Sequence, residues 1–124
     1  MSAGMEALTK LAWLSLAALH LPPATVLAAP ALAQRLYGVE PEGAAMVLIV
    51  HRGALFLALV VIASWAAFDP ALRRAASVAV AVSVVGFLFV HWRGGMVPEL
   101  RAIALADMVA LVPLLWIGWR AWRP

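Results

Sequence analysis

Residues 43–68 read GAAMVLIVHRGALFLALVVIASWAAF, with Asp69-Pro70 directly behind them. His51-Arg52 is the one titratable interruption of this apolar run. At 1.5 Å per helical residue the stretch reaches about 39 Å, more than the roughly 30 Å hydrocarbon core of a bilayer. The run is therefore read as a transmembrane helix, and its polar pair as something the membrane has to accommodate. Asp69-Pro70 closes it and opens the next helix. An Asp N-cap accepts a backbone N–H, and Pro at the first helical position gives up a donor that would be unpaired anyway. The connection between the two helices is then very tight.

The composition around this stretch is of the same kind. Of the 124 residues, 66% are hydrophobic and 12% charged, and the mean hydropathy is +1.00. Soluble domains average about 45–50% apolar and roughly 25% charged. A soluble chain of this length has no interior large enough to hide so much apolar surface. Spans of about 20 residues leave room for four and for no additional domain. Residues 1–124 are thus expected to form a single all-α integral membrane domain, a four-transmembrane-helix bundle. The chain has no Cys, which removes disulfides, thiol catalysis and thiolate metal sites. Its pI of about 10.7 comes from basic residues scattered between apolar runs rather than gathered on one face. The expected partner is the lipid bilayer, not nucleic acid.

Three more spans flank the first one read. One runs from about Leu11 to Ala33, between Lys10 and Arg35, and carries His20 and Pro22-Pro23. Residues 35–42, rich in charge, Gly and Pro, form the loop after it. Another covers about Ala71 to His91, where Ala75, Ala79 and Ser83, with Gly86 near the same stripe, offer a neighbouring helix a close approach. The last starts at Pro98-Glu99 and runs to about Trp122. Trp116, Trp119 and Trp122 with Arg120 and Arg123 form an aromatic and cationic anchor at its end.

An even number of spans puts both termini on one side, together with Lys10, Arg73, Arg74, Arg120 and Arg123. Arg35, Arg93 and Arg101 face the other side with Glu40, Glu42 and Glu99. The positive-inside bias then favours cytoplasmic termini. Ala31-Leu32-Ala33 before Gln34 also resembles a signal-peptide cleavage site. His20, the two prolines and the length of the apolar stretch argue for a retained helix instead.

The residues that bear on chemistry are those set where hydrocarbon should be: His20, His51, Arg52 and Asp107. A charge at the centre of a span costs about 2.5–3.5 kcal/mol on insertion scales, so such groups face the bundle interior or a watery cavity. Arg52 and Asp107 each lie roughly 13 Å from the start of their helix, on the same side of the membrane. Their equal depth predicts an Arg52–Asp107 ion pair. His51 is at that level too, but adjacent helical residues point about 100° apart, so it would flank the cavity rather than share one partner. Pro22 and Pro23 deprive the Ala18 and Leu19 carbonyls of their helical donors, which places a polar cavity beside His20. His91 is expected at the mouth of that cavity, and Tyr37 as a hydrogen-bond donor folded over it. His20, His51, Arg52 and Asp107 are the expected catalytic set, Tyr37 and His91 the substrate-binding one. No metal and no cofactor is expected, because the histidines show no ligand spacing such as His-x-x-x-His. Ser15, Ser64, Ser77 and Ser83 carry no nucleophile motif and read as packing residues.

A resemblance adds to this. An intramembrane His followed by Pro, Leu36-Tyr37-Gly38 in the loop, His51-Arg52, Ala67-Phe68-Asp69-Pro70-Ala71-Leu72-Arg73 between spans, and Asp107 in the last span resemble a family of uncharacterised bacterial four-helix small membrane proteins. The similarity covers most of the chain, although members of that family tend to have Arg where Asp69 stands. The layout is more distantly similar to DoxX-like proteins, on architecture alone. The resemblance implies a multi-pass protein of the bacterial inner membrane and no particular activity.

Three functions fit the residues. The first is an acid–base enzyme, an isomerase, cyclase or hydrolase, acting on a lipophilic small molecule: imidazole moves the proton and Arg52 holds negative charge in a low dielectric. The second is a structural or accessory subunit, a homo-oligomer or part of a membrane complex, whose polar groups only fix helix register. It predicts a direct Arg52–Asp107 contact, each His bonded to a backbone carbonyl, no cavity, and a broad apolar face for a partner. The third is a small proton-coupled transporter, for which the first span lacks an acidic residue.

Overall fold

The computed structural model describes residues 2–124, and among these every regular element is helical. Helix α1 (Ala3–Ala24) begins at Ser2, whose hydroxyl accepts the Met5 N–H at 3.2 Å. It ends one residue past Pro22-Pro23 and passes into a 3-10 turn, Thr25–Leu27. Here the structure departs from the span expected over residues 11–33. The helix starts earlier and stops at Ala24, and the chain then turns back into a short helix α2 (Leu32–Tyr37). The prolines remove amide donors from the last turn, and Pro30 follows before the ladder can resume. Gly38 caps α2 in the left-handed region at φ 68°, where a side chain would be strained.

Helix α3 (Gly43–Phe68) is the run quoted above, and Asp69 closes it as expected. Its Oδ1 accepts the Ala71 N–H at 3.0 Å, and Pro70–Leu72 form a 3-10 turn leading straight into α4 (Arg73–Arg93). A second such turn, Pro98–Leu100, leads into α5 (Arg101–Trp122).

Three helices are long and apolar enough to cross a membrane: Gly43–Phe68, Pro70–Arg93 and Pro98–Trp122. The most apolar of them, Gly43–Phe68, with a mean hydropathy of 2.4, has only 6% of its apolar window buried. Leu48, Val82, Val112 and Leu115 stand more than two-thirds exposed. Apolar surface of this kind, turned outward on every long helix, has a favourable solvent only in hydrocarbon.

Helix α1 is different because it lies between α3 and α5. Trp13 and Leu16 on it are fully buried, and Thr9 and His20 nearly so. Its opposite face is exposed and apolar, with Leu8, Leu11, Leu14 and Leu21. Helix α4 packs chiefly on α5, with Val80, Val84, Leu114 and Ile117 in one buried core, whereas it meets α3 more sparsely. The stripe expected to draw a helix close is accordingly not the packed face of α4. Ala76, Ser77, Val80 and Val84 are buried, while Ala79, Ser83 and Gly86 line an open groove towards α3. At the terminal end of the molecule Trp116 Nε1 donates to Thr9 Oγ1 and Trp122 Nε1 to Ser77 Oγ.

Candidate functional site

Gly53 explains how a polar site is built at the other end. A Cβ at this position would stand 2.8 Å from the Leu27 backbone nitrogen, so the absence of a side chain lets the Thr25–Leu27 turn lie against α3. That contact brings the end of α1 and the rising α2 over the residue before it, Arg52. His20 from α1, Tyr37 from α2, Arg52 and Phe56 from α3 and Asp107 from α5 then line one cavity of about 210 Å³.

His20 is 3% exposed, and its Nδ1 lies 2.7 Å from the Leu16 carbonyl oxygen. A carbonyl only accepts, so Nδ1 carries the proton. In the neutral ring the lone pair is therefore on Nε2, which is buried without a protein partner. The Tyr37 hydroxyl is likewise buried and unpartnered. Burial pushes its phenol above the usual range, against the pull of the Arg52 charge, so it remains a proton donor near neutrality.

Arg52 is half-buried, and its Nε has no acceptor. Its guanidinium carbon lies 5.7 Å from the centre of the Tyr37 ring, 5.0 Å from Phe56 and 5.5 Å from Phe87. Cation–π contacts contribute about 0.5–2 kcal/mol each, depending on desolvation. They offset part of the cost of burying the charge without occupying its N–H groups. The expected Arg52–Asp107 ion pair is not formed: among the described residues the salt bridge within 4.0 Å is Arg73–Glu6. Equal depth along two helices brings the groups to one cavity but does not bring them into contact, because α1 packs against both α3 and α5.

Arg52 is also where three hollows meet. Beyond the cavity it lines the groove between α3 and α4, of about 460 Å³, and a recess of about 500 Å³ bounded by Tyr37, Phe87 and Glu99. The inner cavity alone is smaller than the roughly 300–1,000 Å³ of a drug-sized ligand site. A molecule reacting inside it would extend past Arg52.

The structure does not bring all the expected residues here. His51 is exposed on the far side of α3, because the 100° step that turns Arg52 inward turns His51 out. His91 lies outside the cavity, its ring stacked on Phe87 at 5.7 Å. Phe87 reads from sequence as ordinary packing, and Phe56 was not singled out. The signal available for Phe56 was its place one helical turn from Arg52. No three His, Asp or Glu side chains converge on a possible metal position among the described residues. No protein-family model, curated protein or solved structure matches the chain.

Proposed function

We propose that this chain is an integral membrane enzyme that moves protons on a lipophilic small molecule, with His20 Nε2 as the acid–base group. The observation that carries the reading is a single cavity lined by His20, Tyr37, Arg52 and Asp107, with the His20 tautomer fixed from behind by Leu16. In it Arg52 stabilises negative charge that develops on the substrate, the Tyr37 hydroxyl donates to the same oxygen, and Asp107 holds or relays the proton. The low dielectric of the surroundings strengthens each of these interactions. A role confined to fixing helix register called for a direct Arg52–Asp107 contact, and that contact is missing.

In this reading α1 is the fourth span. From Lys10 to Ala24 the helix reaches about 21 Å, the Thr25–Leu27 turn adds about 6 Å, and its buried face replaces hydropathy by protein contacts. The cluster of Lys10, Arg73, Arg74, Arg120 and Arg123 then faces the cytoplasm, in a bacterial inner membrane.

The test is incubation of the purified protein with a bacterial lipid extract in deuterated water, followed by mass spectrometry. The wild type and His51→Ala yield a deuterated or otherwise altered species. His20→Ala and Asp107→Asn, still folded, do not. Loss of the species in His51→Ala alone, or its persistence in His20→Ala, contradicts the assignment.

A further inference from the structure

The groove between α3 and α4 has a single charged residue, at one end, and apolar residues along the rest apart from one hydroxyl, Ser83. Leu59 lies about 13 Å along α3 from Phe68 and Arg52 about 24 Å; Ala79 and Val90 lie about 13 and 30 Å along the facing helix from Pro70. In a core roughly 30 Å thick, the groove therefore begins near mid-bilayer and rises, and Arg52 stands just below the non-cytoplasmic face. Nothing lies within 4 Å of where a Cβ of Gly86 would stand, so the groove is open at that level. Among the described residues no carboxylate is within 4.0 Å of Arg52, and its Nε lacks an acceptor.

We propose that this groove seats the alkyl chain of a long-chain carboxylic acid whose carboxylate is held by Arg52. The proposal names the substrate class of the cavity described above and rests on that reading of the membrane placement. A planar guanidinium takes a carboxylate bidentately, and its unused N–H groups supply the charge complement. The depth of Arg52 selects the occupant. A carboxylate is bonded directly to its chain and descends with it to the top of the hydrocarbon. A phospholipid keeps its charge out at the headgroup level, on a glycerol unit with a second chain for which the groove offers no counterpart. With the carboxylate at Arg52, the adjoining carbon atoms reach the threshold of the His20 cavity.

The experiment is a binding titration of the full-length protein in phosphatidylcholine nanodiscs, using hexadecanoate, hexadecan-1-ol and phosphatidylglycerol as probes. Hexadecanoate saturates at about one molecule per chain and binds roughly tenfold more tightly than the alcohol. Arg52→Gln removes that preference and Arg52→Lys keeps part of it. Gly86→Leu, which fills the groove away from the charge, weakens acid and alcohol alike. Equal binding of acid and alcohol, an unchanged preference in Arg52→Gln, or displacement of hexadecanoate by phosphatidylglycerol at similar concentration overturns the proposal. The last result would identify a site for ordinary surrounding lipid. The readout is binding alone, so it can fail while proton transfer at His20 stands, and the reverse.

Discussion

Arg73 grips both carboxylate oxygens of Glu6, Nη1 to Oε2 at 3.1 Å and Nη2 to Oε1 at 2.5 Å, across 67 positions of sequence. The same guanidinium donates to the Ala66 and Ala67 carbonyls at 3.0 and 3.2 Å, closing the C-terminal turn of α3. One side chain thereby ties α1, α3 and α4 together at the terminal end.

The Glu6 carboxyl is held below its ordinary value of 4.5 by its hydrogen bond to Arg73, reinforced by the charge of Arg73 and more weakly by Lys10 and Arg120, against some desolvation. A carboxyl with a depressed folded-state pKa adds stability that is complete above the unfolded pKa and is lost as pH falls through the folded one. Thermal unfolding in detergent should give a constant midpoint from pH 7 down to about 4.5 and a falling one below it. Glu6→Gln should cost on the order of 1–2 kcal/mol at pH 7, because Arg73, at 7% exposure, keeps its charge and loses its partner. The acid-dependent fall should be smaller in that variant.

Four crossings make a labelling pattern that three do not. The chain has no Cys, so single cysteines report without background. Gly4→Cys, Pro124→Cys and Asp69→Cys should react with an impermeant maleimide from the cytoplasmic side of oriented vesicles, and Glu40→Cys from the opposite side. Labelling of positions 4 and 40 from one side would mean that α1 does not cross.

Gly53→Ala should loosen the polar end selectively. Its new methyl meets the Leu27 backbone at 2.8 Å, a clash that a flexible side chain cannot relieve. Overpacking of this kind costs about 1–3 kcal/mol. Hydrogen exchange should rise in residues 25–37 and remain unchanged around Trp13 and Leu16. A wild-type exchange pattern would show that the turn does not rest on α3.

His20 offers a direct view of its tautomer. With Nδ1 bonded to the Leu16 carbonyl, nitrogen-15 NMR of the neutral ring should show a protonated Nδ1 and a bare Nε2. The reversed pattern would remove the lone pair from the cavity.

Several of these features were legible in the sequence because they are local. Asp69-Pro70 signals its turn through a hydrogen bond spanning two residues, and the 26-residue run of α3 needs no neighbour to be recognised. What failed depended on tertiary contacts. Pro22-Pro23 announced a disturbed backbone, but whether the chain would kink and continue or turn back was decided by the contact of Leu27 with Gly53. His51 and Arg52 are adjacent and both polar, so nothing in their order says which one faces inward. The small residue at position 53 marks the packed side only once its neighbour is known. Ala75, Ala79 and Ser83 have the spacing of a packing stripe, yet α4 turns its neighbouring face, Ala76, Val80 and Val84, to the protein. Span counting placed Arg73 on the side of the termini, but its pairing with Glu6 had no local signal.

The relation between Arg52 and Asp107 separates a working site from a structural pair more directly than any other. Dipolar recoupling between the Arg52 guanidinium nitrogens and the Asp107 carboxyl carbon, in lipid bilayers, measures it. A working site gives no coupling of the strength that an ion pair within 4.0 Å produces, together with water or ligand signals reaching both groups. A strong coupling with no such signals would mean that the two charges neutralise each other in dry packing, and that the cavity is not a site.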